Sequence, residues 1–180
     1  MTSSDRSRLL ALARASVQAA ASGSKLPDVP PGEPYSGQGG AFVTLKTRSG
    51  RLRGCIGHFL GMGSIGETIV RMASAAAGED PRFPPVSTAE LDSLTLEISL
   101  LSPMVPTEPE GVIPGTHGVY VRSGPWSGTL LPQVATEEGW DREELLSHTC
   151  MKAGLRPDAW RSTGRELEIF TYTAEVFGED

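Results

Sequence analysis

Cys55 is the side chain in this sequence best suited to nucleophilic chemistry, and its setting is basic. It lies in Leu52-Arg53-Gly54-Cys55-Ile56-Gly57, just after Lys46, Arg48 and Arg51. Alternation over residues 39–63 predicts a β-hairpin with Ser49-Gly50 as a two-residue turn. In that register Arg48 faces Arg51, Lys46 faces Arg53 and Thr44 faces Cys55, all six on one cationic face. Val43, Leu45 and Thr47 then share the opposite, apolar face with Leu52 and Ile56. A one-residue bulge would reverse the assignment, because strand side chains alternate with period two. Neighbouring arginines favour a thiolate, whereas burial opposes it. A packed thiol is the alternative reading, since free cysteine also behaves as a small hydrophobe.

Three other residues could bind or transfer protons. Arg82, in Asp80-Pro81-Arg82-Phe83-Pro84-Pro85, could clamp a carboxylate or phosphate with Asp80 orienting it, or pin the loop through a local ion pair. His117 shares a strand face with Val119 and Val121 if that segment is extended, and imidazole exchanges protons near neutrality. Gln133 could read a polar ligand edge or hydrogen-bond its own turn. Ser64 reads as a helix cap, because Ser64-Ile65-Gly66-Glu67 is a capping box. Cys150 reads as a packed helix residue, Trp126 and Trp140 as packing groups, and His148 has no partner nearby in sequence.

These groups need elements to hold them. An amphipathic helix is predicted over residues 5–20 with Leu9, Leu10, Ala13 and Val17 along one stripe. A Pro- and Gly-rich arm over residues 22–39 follows. A capped helix runs from Ser64 to Gly78, and Leu94–Leu101 alternates as a strand. Thr129 leads into a helix starting near Pro132, and Asp141 caps another that ends at Gly154. Arg165 through Phe177 reads as one late extended run with apolar groups on both sides. The fold class is α+β: a mixed or antiparallel β-sheet with packed helices, in two closely associated lobes.

Composition narrows the function. The 180 residues carry a net charge of −6, with eight Lys/Arg against three Asp/Glu in residues 1–60 and eight against nineteen thereafter. The acidic second portion argues against general nucleic-acid binding. No uninterrupted apolar run suits a membrane span and the first residues lack a secretory signal pattern, so a cytoplasmic location is expected. Two cysteines form no CxxC motif and, with three histidines, no zinc signature; no metal and no cofactor is assigned.

Leu52-Arg53-Gly54-Cys55-Ile56-Gly57, Asp80-Pro81-Arg82-Phe83 and Leu131-Pro132-Gln133-Val134-Ala135, with the Leu94 strand and Cys150 to Leu155, closely resemble the AMMECR domain family. The resemblance extends over residues 5–177 as a single domain. It implies an α+β fold with two lobes and a cleft, and it makes Arg53, Cys55, Arg82, His117 and Gln133 candidate pocket positions. Relatives are linked or fused to Memo-like metalloenzymes and to radical S-adenosylmethionine proteins, which implies an auxiliary role in an AmmeMemoRadiSam system, with an unidentified small molecule as ligand. The competing expectation is a cysteine-dependent enzyme with Cys55 as nucleophile and His117 as general base; an RNA-related role is the third. The chain has no CxxxCxxC cluster motif, so neither partner's cofactor is transferred to it.

Overall fold

The computed structural model describes residues 1–161 and 167–179. In chain order the elements are α1 (Ser3–Ser22), β1 (Ala41–Thr47), β2 (Leu52–His58), α2 (Ile65–Gly78), β3 (Leu94–Leu101), β4 (Val105–Pro106), β5 (Gly118–Ser123), β6 (Trp126–Leu130), α3 (Pro132–Glu138), α4 (Arg142–Lys152), β7 (Glu168–Tyr172) and β8 (Ala174–Gly178). They form two compact units: Met1–Leu101 with Glu175–Asp180, and Ser102–Ala174. Each has its own four-stranded sheet, ordered β2-β1-β3-β8 and β4-β7-β5-β6. The α+β class with packed helices holds.

In the first unit β1 pairs antiparallel with both β2 and β3. Val43, Leu45, Leu96 and Ile98 are fully or almost fully buried, in one cluster with Leu9, Ala13 and Val17 of α1 and Ile69 and Ala73 of α2. Each such side chain withdraws enough apolar surface to contribute about 1.5–3 kcal/mol for the larger residues. Thr2 with Asp5 and Ser64 with Glu67 form capping boxes that satisfy the first amides of α1 and α2. Gly54 lets α2 approach β2: a Cβ there would lie 2.2 Å from the Ala76 carbonyl oxygen.

The hairpin corrects the expected register in an instructive way. Its loop has three residues, not two: the Thr47 amide donates to the Arg51 carbonyl, the Gly50 amide donates to Thr47, and Gly50 takes a φ of 81°. A bulge then inserts one residue on β2, so that Lys46 faces Leu52 while Leu45 faces Gly54. The two offsets cancel. Thr44 does face Cys55 as expected, but Lys46 does not face Arg53, and Leu52 leaves the apolar face and is 41% exposed. The basic residues do not form a free cationic face either, since Lys46 pairs with Glu97 and Arg53 with Glu90, while Arg48 donates to the Asp92 carbonyl.

In the second unit β5 pairs antiparallel with β6 and β7, and β7 with β4. Val119, Val121, Leu145, Leu146 and Cys150 are fully buried between this sheet and α4. Gly128 permits that packing, because a Cβ would lie 2.6 Å from the Ala153 amide nitrogen. The late extended run is two strands rather than one: β7 joins the second sheet and β8 the first, with Thr173 between them tied to Ser102 by two hydrogen bonds. Apolar groups appear on both faces of the run because its halves serve different cores. Arg165 and Glu166, read as its start, lie outside the described residues. Trp126 is not a packing residue in the expected sense: it is 58% exposed at the β5–β6 turn.

Candidate functional site

The backbone of β2 explains why Cys55 is singled out. In an antiparallel pair, alternate residues point both N–H and C=O away from the neighbouring strand. Thr44 and Cys55 form such a pair, so the Cys55 amide and carbonyl point off the free edge of the sheet, where Asp80 and Arg82 meet them. Asp80 Oδ2 accepts from the Cys55 amide at 2.8 Å, and Arg82 Nη2 donates to the Cys55 carbonyl at 3.2 Å. An acid and a base thus replace the missing neighbouring strand. In the same geometry paired side chains come close together, and Thr44 Oγ1 donates to Cys55 Sγ at 3.3 Å.

The loop after α2 delivers that clamp. The Phe83 amide donates to the Asp80 carbonyl, and the Arg82 amide to Asp80 Oδ1, a turn in which an aspartate side chain mimics backbone. Arg82 Nε and Nη2 then donate to the two oxygens of Asp80 at 2.9 and 2.7 Å. Asp80 is buried, while the Arg82 side chain is 54% exposed. Hydrogen bonds from Arg82 hold the Asp80 carboxyl far below the ordinary carboxylate range despite burial, and Asp80 in turn raises the pKa of Arg82.

A second ion pair backs the first. Arg53, the bulge residue, donates from Nε and Nη2 to Glu90 and from Nη2 to the Pro85 carbonyl. Glu90 also receives the Ser87 amide and is held down to about 2, chiefly by the Arg53 guanidinium. Arg53 is only 12% exposed, and its Nη1 is buried without a hydrogen-bond partner among the described residues. Both guanidiniums lie against one aromatic ring, Arg82 at 5.6 Å and Arg53 at 6.0 Å from the Phe83 centroid.

The structure therefore gathers Arg53, Cys55 and Arg82 around Asp80, Phe83 and Glu90 in the first unit. His117 and Gln133 belong to the second. His117 precedes β5 instead of sharing its valine face, and its Nδ1 accepts from the Ile113 amide at 3.2 Å. That bond puts the proton of a neutral ring on Nε2, the wrong arrangement for a free general base. Gln133 is exposed in the first turn of α3. Glu90 is a member of this cluster that residue type alone does not single out; Ser87-x-x-Glu90, itself a capping-box pattern, is the sequence signal for its place. Among the described residues no three His, Cys, Asp or Glu converge as metal ligands, and no helix is long and apolar enough to cross a membrane.

The AMMECR1 family model matches residues 10–177. The chain belongs to the AMMECR1 family. A protein of Thermococcus gammatolerans is 45% identical over 151 residues, covering 78% of this chain and 73% of its own length. One from Methanothermobacter thermautotrophicus is 41% identical over 182 residues, 96% of this chain and 93% of its own. The crystal structure of the uncharacterised protein PH0010 from Pyrococcus horikoshii matches with a TM-score of 0.80 at 38% identity, over 96% of this chain and 90% of that one. The Arg53–Cys55 and Asp80–Phe83 segments of this AMMECR1-family chain both fall inside the matched range.

Proposed function

We propose that this AMMECR1-family chain is an auxiliary ligand-handling module, which holds a small anionic molecule at Arg82 beside Cys55 and presents it to an oxidative partner. The partner is a Memo-like metalloenzyme or a radical S-adenosylmethionine protein of an AmmeMemoRadiSam system, in the cytoplasm, where an unpaired thiol stays reduced. One observation carries the reading: Arg82 is fixed by Asp80 along one edge yet remains more than half exposed. A guanidinium already oriented by a buried carboxylate loses little further freedom on meeting a ligand, which favours binding. Cys55 then acts as a wall and contact of the site, its sulfur already accepting from Thr44.

The test is untargeted metabolite capture with mass detection, with and without the two partner proteins, on the wild type, Arg82→Ala and Cys55→Ser. The reading expects one reproducible anionic ligand that survives Cys55→Ser and is lost with Arg82→Ala. Product turnover by the isolated chain, abolished by Cys55→Ser, would replace it with a thiol-enzyme reading.

A further inference from the structure

The free edge of β2 continues past Cys55. Gly57 is two residues further on and, like Cys55, faces β1 in a pair that bonds outward, opposite Phe42. Its N–H and C=O therefore point off the same edge as the groups that Asp80 and Arg82 already hold. Gly57 lies about 6–7 Å along the strand from Cys55. Arg82 sits on the Cys55 carbonyl, between those two amides. Nε and Nη2 are engaged by Asp80 and the Cys55 carbonyl, so Nη1 is the nitrogen left to donate; the gap from it to the Gly57 N–H is on the order of 5 Å, which the two oxygens of one carboxylate span while accepting from both sides.

Two further features select among anions. The four charged groups of the cluster, Asp80, Arg82, Arg53 and Glu90, form two ion pairs whose formal charges cancel. Asp80 and Glu90 both stay ionised at neutral pH, so a monoanion adds one unit of uncompensated charge and a phosphate dianion adds two. The surroundings of the subsite are aromatic. The Phe42 ring lies against the bare Cα of Gly57, where a Cβ would come within 2.1 Å of it, Phe59 packs edge-on to Phe42 at 4.8 Å, and Phe83 flanks Arg82.

We propose that Arg82 and the main-chain N–H of Gly57 form a subsite for a single carboxylate carried on an apolar or aromatic body, and that this subsite prefers carboxylates to phosphates. The inference deepens the ligand-module reading and rests on its placement of the ligand at Arg82.

The experiment is a titration of the isotope-labelled full chain with sodium benzoate and, separately, phenyl phosphate, followed by the Gly57 amide and Arg82 Nε resonances. Benzoate is expected to shift both resonances along one saturating curve, with phenyl phosphate at least about fivefold weaker, the penalty expected for the extra charge at a partly solvated site. Arg82→Gln should weaken benzoate by about tenfold or more, as loss of a charged hydrogen-bond donor does. Arg82→Lys, which retains the cation opposite Asp80 and so guards against misfolding, should also lose the coupled Gly57 shift, because an ammonium held by Asp80 leaves no second nitrogen to reach the ligand. A shift at Arg82 without one at Gly57, a preference for phenyl phosphate, or no saturable shift would each overturn the proposal. The outcome separates from that of metabolite capture: coupled shifts with no captured metabolite leave the subsite standing and remove the module, whereas a captured ligand that leaves Gly57 unmoved does the reverse.

Discussion

Replacing Asp80 by asparagine keeps the side chain's shape but turns one acceptor into a donor and removes a charge. Asp80 Oδ1 accepts from the amide and Nε of Arg82, and Oδ2 accepts from the Cys55 amide and from Arg82 Nη2. If the new amide keeps its oxygen at the Oδ1 position, its NH2 group faces two donors. The Cys55 amide then loses its acceptor at a partly buried strand edge, a cost of about 1–3 kcal/mol. Arg82 is mostly solvated and can turn to water, so its own loss adds little. Turning the amide the other way saves Cys55 and breaks the turn at Arg82 instead. The expected penalty is therefore about 2–3 kcal/mol, below the usual cost of stranding a fully buried charge. In a chain of this size that lowers Tm by roughly 5–10 °C.

The assay is urea unfolding of wild type and Asp80→Asn at pH 7 and again at pH 3. The folded-state pKa of Asp80 lies below its unfolded value, so its stabilisation is complete above about pH 4 and fades as the pH falls toward the folded value. The gap between the two proteins should accordingly narrow at pH 3. A penalty below about 0.5 kcal/mol at pH 7, or a gap as wide at pH 3, would refute the account of Asp80 as the group that closes the β2 edge.

Other consequences are as direct. Gly54→Ala should destabilise the first unit by about 1–3 kcal/mol, since its Cβ meets the Ala76 carbonyl rather than a movable side chain; chemical denaturation measures this. A thiol reagent should label Cys55 in the native protein and reach Cys150 only on unfolding, because Cys150 is fully buried and burial pushes its thiol pKa up; peptide mapping after labelling decides. Tyr172→Phe should cost about 1 kcal/mol by removing the hydroxyl bonds to Thr129 and to the Leu130 carbonyl. In the wild type, ultraviolet titration should show one tyrosine ionising only near pH 12, where burial has moved Tyr172.

Local patterns carried most of the fold into view. Capping residues and apolar period placed α2 and α4, and strict alternation placed β3 from Leu94 to Leu101 without error, because these signals act between residues a few positions apart. Thr44 opposite Cys55 was legible for the same reason, though through two compensating irregularities that the alternation cannot reveal. Arg53, Cys55 and Arg82 were candidates by residue type, and Asp80 beside Arg82 was a sequence neighbour. What residue order alone could not decide was which partner each charge would take. The fall of Asp80 onto the Cys55 amide joins residues 25 positions apart, and the grip of Glu90 on Arg53 spans 37. Likewise the run ending at Phe177 divides between two sheets because each half completes a different core, a choice made by packing rather than by propensity.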